Sequence, residues 1–114
     1  MDPRLKTVLE DVNHIDSINN QKRFLKEKFY EDIVIFHNGG KFTVTGSFVA
    51  FAKEAASNNI RYIVDDNDIP VDVENVQEFY NKIVDAYTEA TENYFKKYND
   101  LIEKSRNIEE LLSI

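Results

Sequence analysis

The apolar residues of this chain change their period, and that change restricts the fold more than any other feature. Near the N-terminus Leu5, Val8, Leu9, Val12 and Ile15 recur at the spacing of one helix face. From Ile33 the pattern tightens to a β-branched and aromatic run, Ile33-Val34-Ile35-Phe36. A second run follows in which Phe42 and Val44 alternate with Lys41, Thr43 and Thr45. His37-Asn38-Gly39-Gly40 joins them, and Asn-Gly supplies the positive φ angles that tight hairpin turns need, so the spacing predicts a β-hairpin. Beyond Gly46 the helical period returns. A chain of 114 residues is one domain's worth. The expected organisation is therefore a single α+β domain over 1–114.

The boundaries of the helices have local causes. Asp2 is a good N-cap, and Pro3 fits the first helical position, where its missing N–H had no partner anyway. Asp16-Ser17 offers a restart, with Phe24, Leu25 and Phe29 continuing the apolar face, so one kinked helix and two short ones both fit. Gly46-Ser47 closes the second strand and caps a helix built on Phe48, Val49, Phe51, Ala52, Ala55 and Ala56, which stops at Ser57-Asn58-Asn59. Ile60 to Val64 reads as a third strand. The helix before it is long enough to serve as a crossover, so a small three-stranded sheet is expected, the hairpin plus this third strand.

After Pro70, Asp72 is the expected cap of a long helix over 73–104, with Val71 and Val76 as a hydrophobic staple. Val76, Tyr80, Ile83, Tyr87, Ala90 and Tyr94 alternate by four and three along it. Such a helix is ~45 Å long, more than a small domain spans, so part of it must project, pack along the N-terminal helix or meet another chain. Asn107 to Leu112 reads as a short terminal helix whose Ile108, Leu111 and Leu112 need a docking surface. Tyr is favoured at half-wet interfaces. The expected interface is accordingly Tyr87, Tyr94, Phe95, Tyr98, Leu101, Ile108, Leu111 and Leu112.

Recognisable reaction chemistry is scarce. Without Cys there are no disulfides, thiolate nucleophiles or Cys-based metal sites. The two histidines, His14 and His37, lack marked co-ligands; His37 flanks a turn and His14 is read as lying among residues that face water. The acidic run Asp65, Asp66, Asp68, Asp72 and Glu74 invites a Ca²⁺ reading, but it fails the EF-hand pattern, because Pro70 occupies position five or six where Gly is needed at six. A solvated turn is the simpler account. The glycines Gly39, Gly40 and Gly46 match no phosphate-binding fingerprint, and Ser47 lacks the elbow of a nucleophilic serine. The chain is therefore read as a non-enzyme with no cofactor and no metal.

Charge narrows the partners. A net charge of −7 works against contact with phosphates, and Lys22, Arg23, Lys26 and Lys28 lie beside Glu27, Glu31 and Asp32 on what reads as a solvated helix face. Direct nucleic-acid binding is not expected. No segment approaches the ~20 apolar residues of a membrane span, and no stretch of signal-peptide length follows Met1. Other protein subunits are the expected partners, copies of the same chain among them.

One stretch carries a resemblance: Ile63-Val64-Asp65-Asp66-Asn67-Asp68-Ile69-Pro70-Val71, then Val76 to Tyr80, Tyr87 to Tyr98, Leu101 and Arg106. It resembles small structural proteins of tailed bacteriophages, the crAss-like group among them. The likeness covers about the C-terminal half, contains no diagnostic motif and carries over no residue roles. It implies a virion component, an auxiliary capsid or head–tail protein, found in the virion or the host cytoplasm. The alternative is a small acidic regulatory or inhibitory protein that binds a host protein.

Overall fold

Asp2 begins the first helix as its position suggests: its carboxylate accepts a hydrogen bond from the Arg4 N–H at 2.9 Å. In the computed structural model, which describes residues 2–112, helix α1 (Pro3–Asp32) is followed by strands β1 (Val34–His37) and β2 (Gly40–Thr43) and helix α2 (Gly46–Ser57). Strands β3 (Tyr62–Val64) and β4 (Pro70–Asp72) and helix α3 (Val76–Leu112) complete the chain. The class is α+β. The chain divides into two compact units, a helical one of Met1–Lys28 with Asn93–Ile114 and a mixed one of Phe29–Glu92.

In the mixed unit β1 and β2 pair antiparallel from Val34↔Thr43 to His37↔Gly40. Asn38 and Gly39 have φ of 47° and 83°, the double positive φ of the two-residue turn that the Asn-Gly pair favours. Helix α2 is capped by Thr45, whose hydroxyl accepts from the Phe48 N–H, and not by Ser47 as the sequence suggested. At its other end Asn59 takes a left-handed φ of 51°. The N–H groups of Asn59 and Ile60 then bond back to Ala56 and Ala55, closing a Schellman motif with Asn in the usual glycine position.

The expected three-stranded sheet is not formed. Tyr62–Val64 pairs antiparallel with β4, giving a second, separate two-stranded hairpin. Side-chain carboxylates take the place of a third strand on β2. The Lys41 N–H donates to the Asp65 carboxylate and the Thr43 N–H to that of Asp66, while the Asp66 N–H donates to the Lys41 carbonyl. With those groups already satisfied, another strand has little left to pair with. Pro70 disguised β4 in the sequence, although an edge strand tolerates proline.

The two hairpins meet at Gly40. A Cβ built there would lie 2.6 Å from Val71 Cγ2 and 2.9 Å from Phe42 Cε2, so only glycine admits this approach. The Asn38 side-chain amide also donates to the Asp72 carbonyl at 2.9 Å. The core of the unit is Ile33, Phe42, Val44, Ala52, Ala55, Ile63, Val71, Val73, Val76, Phe79, Ile83 and Ala90. Phe79 is fully buried, edge-on to Phe42 at 5.0 Å and 6.4 Å from Phe48. Helix α3 contributes Val76, Phe79, Ile83 and Ala90 at three-, four- and seven-residue steps, with Tyr80 and Tyr87 packed half-buried beside them.

Two further expectations at α3 are corrected. Its cap is Asn75, whose side-chain oxygen accepts from the Gln77 and Glu78 N–H groups, both at 3.1 Å; Asp72 is spent within β4 on other partners. The helix also runs unbroken to Leu112, so no separate terminal helix exists. No Gly or Pro interrupts residues 104–112, and the Ser105 hydroxyl is directed at His14 and away from the backbone, removing the usual competitor of helical hydrogen bonds. For the same reason α1 passes through Asp16-Ser17 without a restart, since the Ser17 hydroxyl accepts from the Gln21 side chain.

Candidate functional site

The acidic segment can be judged by what its carboxylates already hold. Asp65 is buried and accepts from the N–H groups of Asn67 and Ile69 at 2.9 Å and of Lys41 at 3.1 Å. These donors hold its carboxyl below the usual aspartate range, the Ile69 N–H contributing most, against a smaller opposing effect of desolvation. Asp66 accepts from both the N–H and the hydroxyl of Thr43. Asp72 forms a two-point pair with Arg61 at 2.7 and 2.9 Å and accepts from the Glu74 N–H. Its carboxyl is lowered chiefly by that guanidinium, and the guanidinium is raised in turn by Asp72. The carboxylates of Asp65 and Asp66 are structural acceptors that lock the second hairpin to the first, and that of Asp72 ties together the ends of its own hairpin. No group of three or more acidic or His residues placed to hold a metal ion occurs among the described residues.

Both histidines are more engaged than their sequence positions suggest. His37 Nε2 lies 3.3 Å from the Val73 carbonyl, which can only accept, so Nε2 carries the proton. Nδ1 is then the acceptor facing Lys82 Nζ at 3.5 Å, and the same ammonium donates to the Phe36 carbonyl at 2.8 Å. The ring also packs on Phe79 at 4.8 Å. His37 thus anchors the hairpin to its core.

His14 belongs to the helical unit, half-buried, with Nε2 3.2 Å from the Ser105 hydroxyl. A nucleophilic serine needs an accessible oxygen and room for the attacked group. Ser105 is only 9% exposed, so its oxygen is poorly accessible, although with His14 it lines the wall of a groove. The pair is a polar layer that sets the register of two antiparallel helical segments. Lys22 over the Tyr98 ring, 5.9 Å from its centroid, repeats that register further along.

Along this seam α3 presents Tyr94, Tyr98, Leu101, Ser105, Ile108 and Leu112, a four-three repeat, against Asp11, His14, Ile18, Gln21 and Leu25 of α1, a three-four repeat. It is thinly filled. Ile18, Leu101 and Ser105 are the buried side chains among the described residues of the unit. Shallow grooves flank the seam on both sides. One is lined by His14, Ile15, Lys22, Ile102, Ser105 and Arg106, the other by Phe24, Leu25, Lys97, Leu101 and Lys104.

The expected interface residues thus fall into three groups. Tyr87 packs against the core of the mixed unit. Leu101 is buried in the helical unit, with Tyr94, Ile108 and Leu112 half-buried around it. Phe95 and Leu111 face outward at 67% and 71% exposure, with Tyr98, 36% exposed, at the edge of the seam. The stripe Leu5, Val8, Leu9, Val12 and Ile15, read from the sequence as one helix face, is exposed at all five positions. The stripe lies one residue out of step with Asp11, His14 and Ile18, and so about 100° around the helix from the seam.

No family model, curated protein or solved structure matches the chain. Among the described residues no helix is long and apolar enough to cross a membrane.

Proposed function

We propose that this chain is a non-enzymatic assembly protein, a phage virion component of the auxiliary capsid or head–tail kind, that docks on neighbouring protein subunits through its helical unit. The observation that carries this reading is the imbalance of that unit. It buries few side chains while leaving Phe95 and Leu111 of α3 and Phe24 of α1 about two-thirds exposed or more. Large apolar side chains left in water favour a second surface, and aromatic anchors contribute most where two proteins meet. The mixed unit, by contrast, has a full core. Its acidic loop supports the reading in a negative sense, since its carboxylates are committed to backbone N–H groups.

Quantitative mass spectrometry of purified particles tests the proposal. A fixed copy number per particle is the expected result. Abundance in infected cells with absence from particles would overturn it and favour a small acidic regulator of a host protein, a reading to which the net charge of −7 is suited.

A further inference from the structure

The apolar stripe on α1 is distinct from the α3 surface invoked above, and its pattern identifies its own occupant. Leu5, Val8, Val12 and Ile15 form an a/d repeat of three-four-three with Leu9 beside it, and each of the five is 44–55% exposed. On the helix they lie about 60–140° from the seam that α1 shares with α3, with Leu9 about 180° away. The seam therefore cannot cover them. Ile15 also lines the groove that contains Ile102, so the stripe continues one side of the helix pair.

We infer that this face is the dimerisation surface of the chain, occupied by α1 of a second copy lying antiparallel to the first. A two-fold axis crossing α1 near Glu10 sets Leu5 against Ile15 of the second copy and Val8 against its Val12. Larger side chains thus meet at the ends, with the smaller pair nearer the axis. Such a contact is isologous and closes on itself. Two helix pairs joined this way make a four-helix arrangement, the common way for thinly packed antiparallel pairs to complete a core.

The area is sufficient. Five half-exposed aliphatic residues offer about 400 Å² of apolar surface per copy, or about 800 Å² for two. With apolar atoms making up about 65% of a homodimer interface, the total is about 1,200 Å², the lower edge of the range for specific interfaces. The antiparallel direction opposes the two helix dipoles. A parallel pair would set Asp11 beside Asp16 of the other copy on both flanks. The antiparallel pair keeps unfavourable meetings of Asp16 with Asp2 of the second copy at the ends and of Asp11 with its own copy near the axis; the central one provides a specific handle.

Sedimentation equilibrium of the full chain between 1 and 200 µM should show a monomer–dimer equilibrium. Val12→Asp should abolish the dimer with unchanged melting of the mixed unit, and Asp11→Asn should tighten it several-fold. Because the chain has no cysteine, direction can be read by oxidation. A mixture of Val8→Cys and Val12→Cys should form the mixed disulfide-linked dimer in preference to either homodimer. A monomer at 200 µM, a Val12→Asp dimer as stable as the parent, or Val8→Cys crosslinking chiefly to itself would each overturn the inference. Loss of particle incorporation in Val12→Asp from a chain that is monomeric at every concentration would also overturn it, showing another subunit on this face. Dimerisation in solution does not depend on the proposed virion role, so either can fail alone.

Discussion

Replacing Gly40 by Ala tests how the two hairpins are held together. The added methyl would sit 2.6 Å from Val71 Cγ2 and 2.9 Å from the Phe42 ring, where carbon atoms prefer about 3.5–4.0 Å. Something must move by about 1 Å. Val71 is buried and stiff at χ1, and Phe42 is wedged against Phe79, so neither side chain can swing away without disturbing the core. Overpacking of this kind costs about 1–3 kcal/mol, which in a domain of this size lowers the melting temperature by about 5–15 °C. Thermal melting followed by circular dichroism reads this directly. A double-mutant cycle then assigns the cause. Val71→Ala alone should cost roughly 1–3 kcal/mol as a cavity, but it removes the atom the new methyl strikes. Gly40→Ala with Val71→Ala should therefore be less destabilised than the sum of the two by at least about 1 kcal/mol. Gly39→Ala is the control: nothing lies within 4 Å of its would-be Cβ, but its φ is +83°. Its penalty of about 1 kcal/mol is backbone strain and should simply add to that of Val71→Ala. A Gly40→Ala protein that melts with the parent, or a cycle that is additive, would refute the close-approach argument.

Acid should loosen the second hairpin first. The folded-state carboxyls of Asp65 and Asp72 lie below their ordinary value, so their contribution is fully present above about pH 4 and is lost as the pH falls through the lower folded-state values. Amide exchange of Lys41, Asn67 and Ile69 measured by NMR should accelerate below pH 4 before the core amides of α3 do; simultaneous acceleration would contradict the assignment. Millimolar Ca²⁺ should leave the melting temperature within about 2 °C, because Asp65 and Asp66 already serve backbone donors, and a large rise would show a binding site there. Phe95→Asp and Leu111→Asp should leave melting within about 2 °C of the parent, as expected of outward-facing residues, whereas Leu101→Asp should destabilise the helical unit. Comparable melting losses in all three would show that Phe95 and Leu111 are not free surface.

What could be read in the sequence follows from how local each signal is. Asn38-Gly39 dictates its own turn, and Asp2-Pro3 its own helix start, so both were legible. Tyr62–Val64 was legible as a strand but not in its pairing, because the choice of partner rests on Asp65 and Asp66 reaching across to Lys41 and Thr43, contacts more than twenty residues apart. Asp72 and Asn75 are both good caps. The structure uses Asn75 because Arg61, eleven residues earlier, takes the Asp72 carboxylate. The α1 stripe was legible as a helix face, but its exposure was not, because an apolar period shows that a face exists without showing what covers it. His14 misled for the converse reason: a polar residue can sit in a seam when a Ser105 waits opposite.

The central claim is that the chain works by docking outward-facing side chains of its helical unit on neighbouring subunits. The most direct test is the copy number of the parent and of a Phe95→Asp, Leu111→Asp double variant in particles purified from matched cultures, with folding confirmed by melting. The account predicts a fixed copy number for the parent and loss of the folded variant from particles. A parent absent from particles, or a variant incorporated at the parental level, would contradict it.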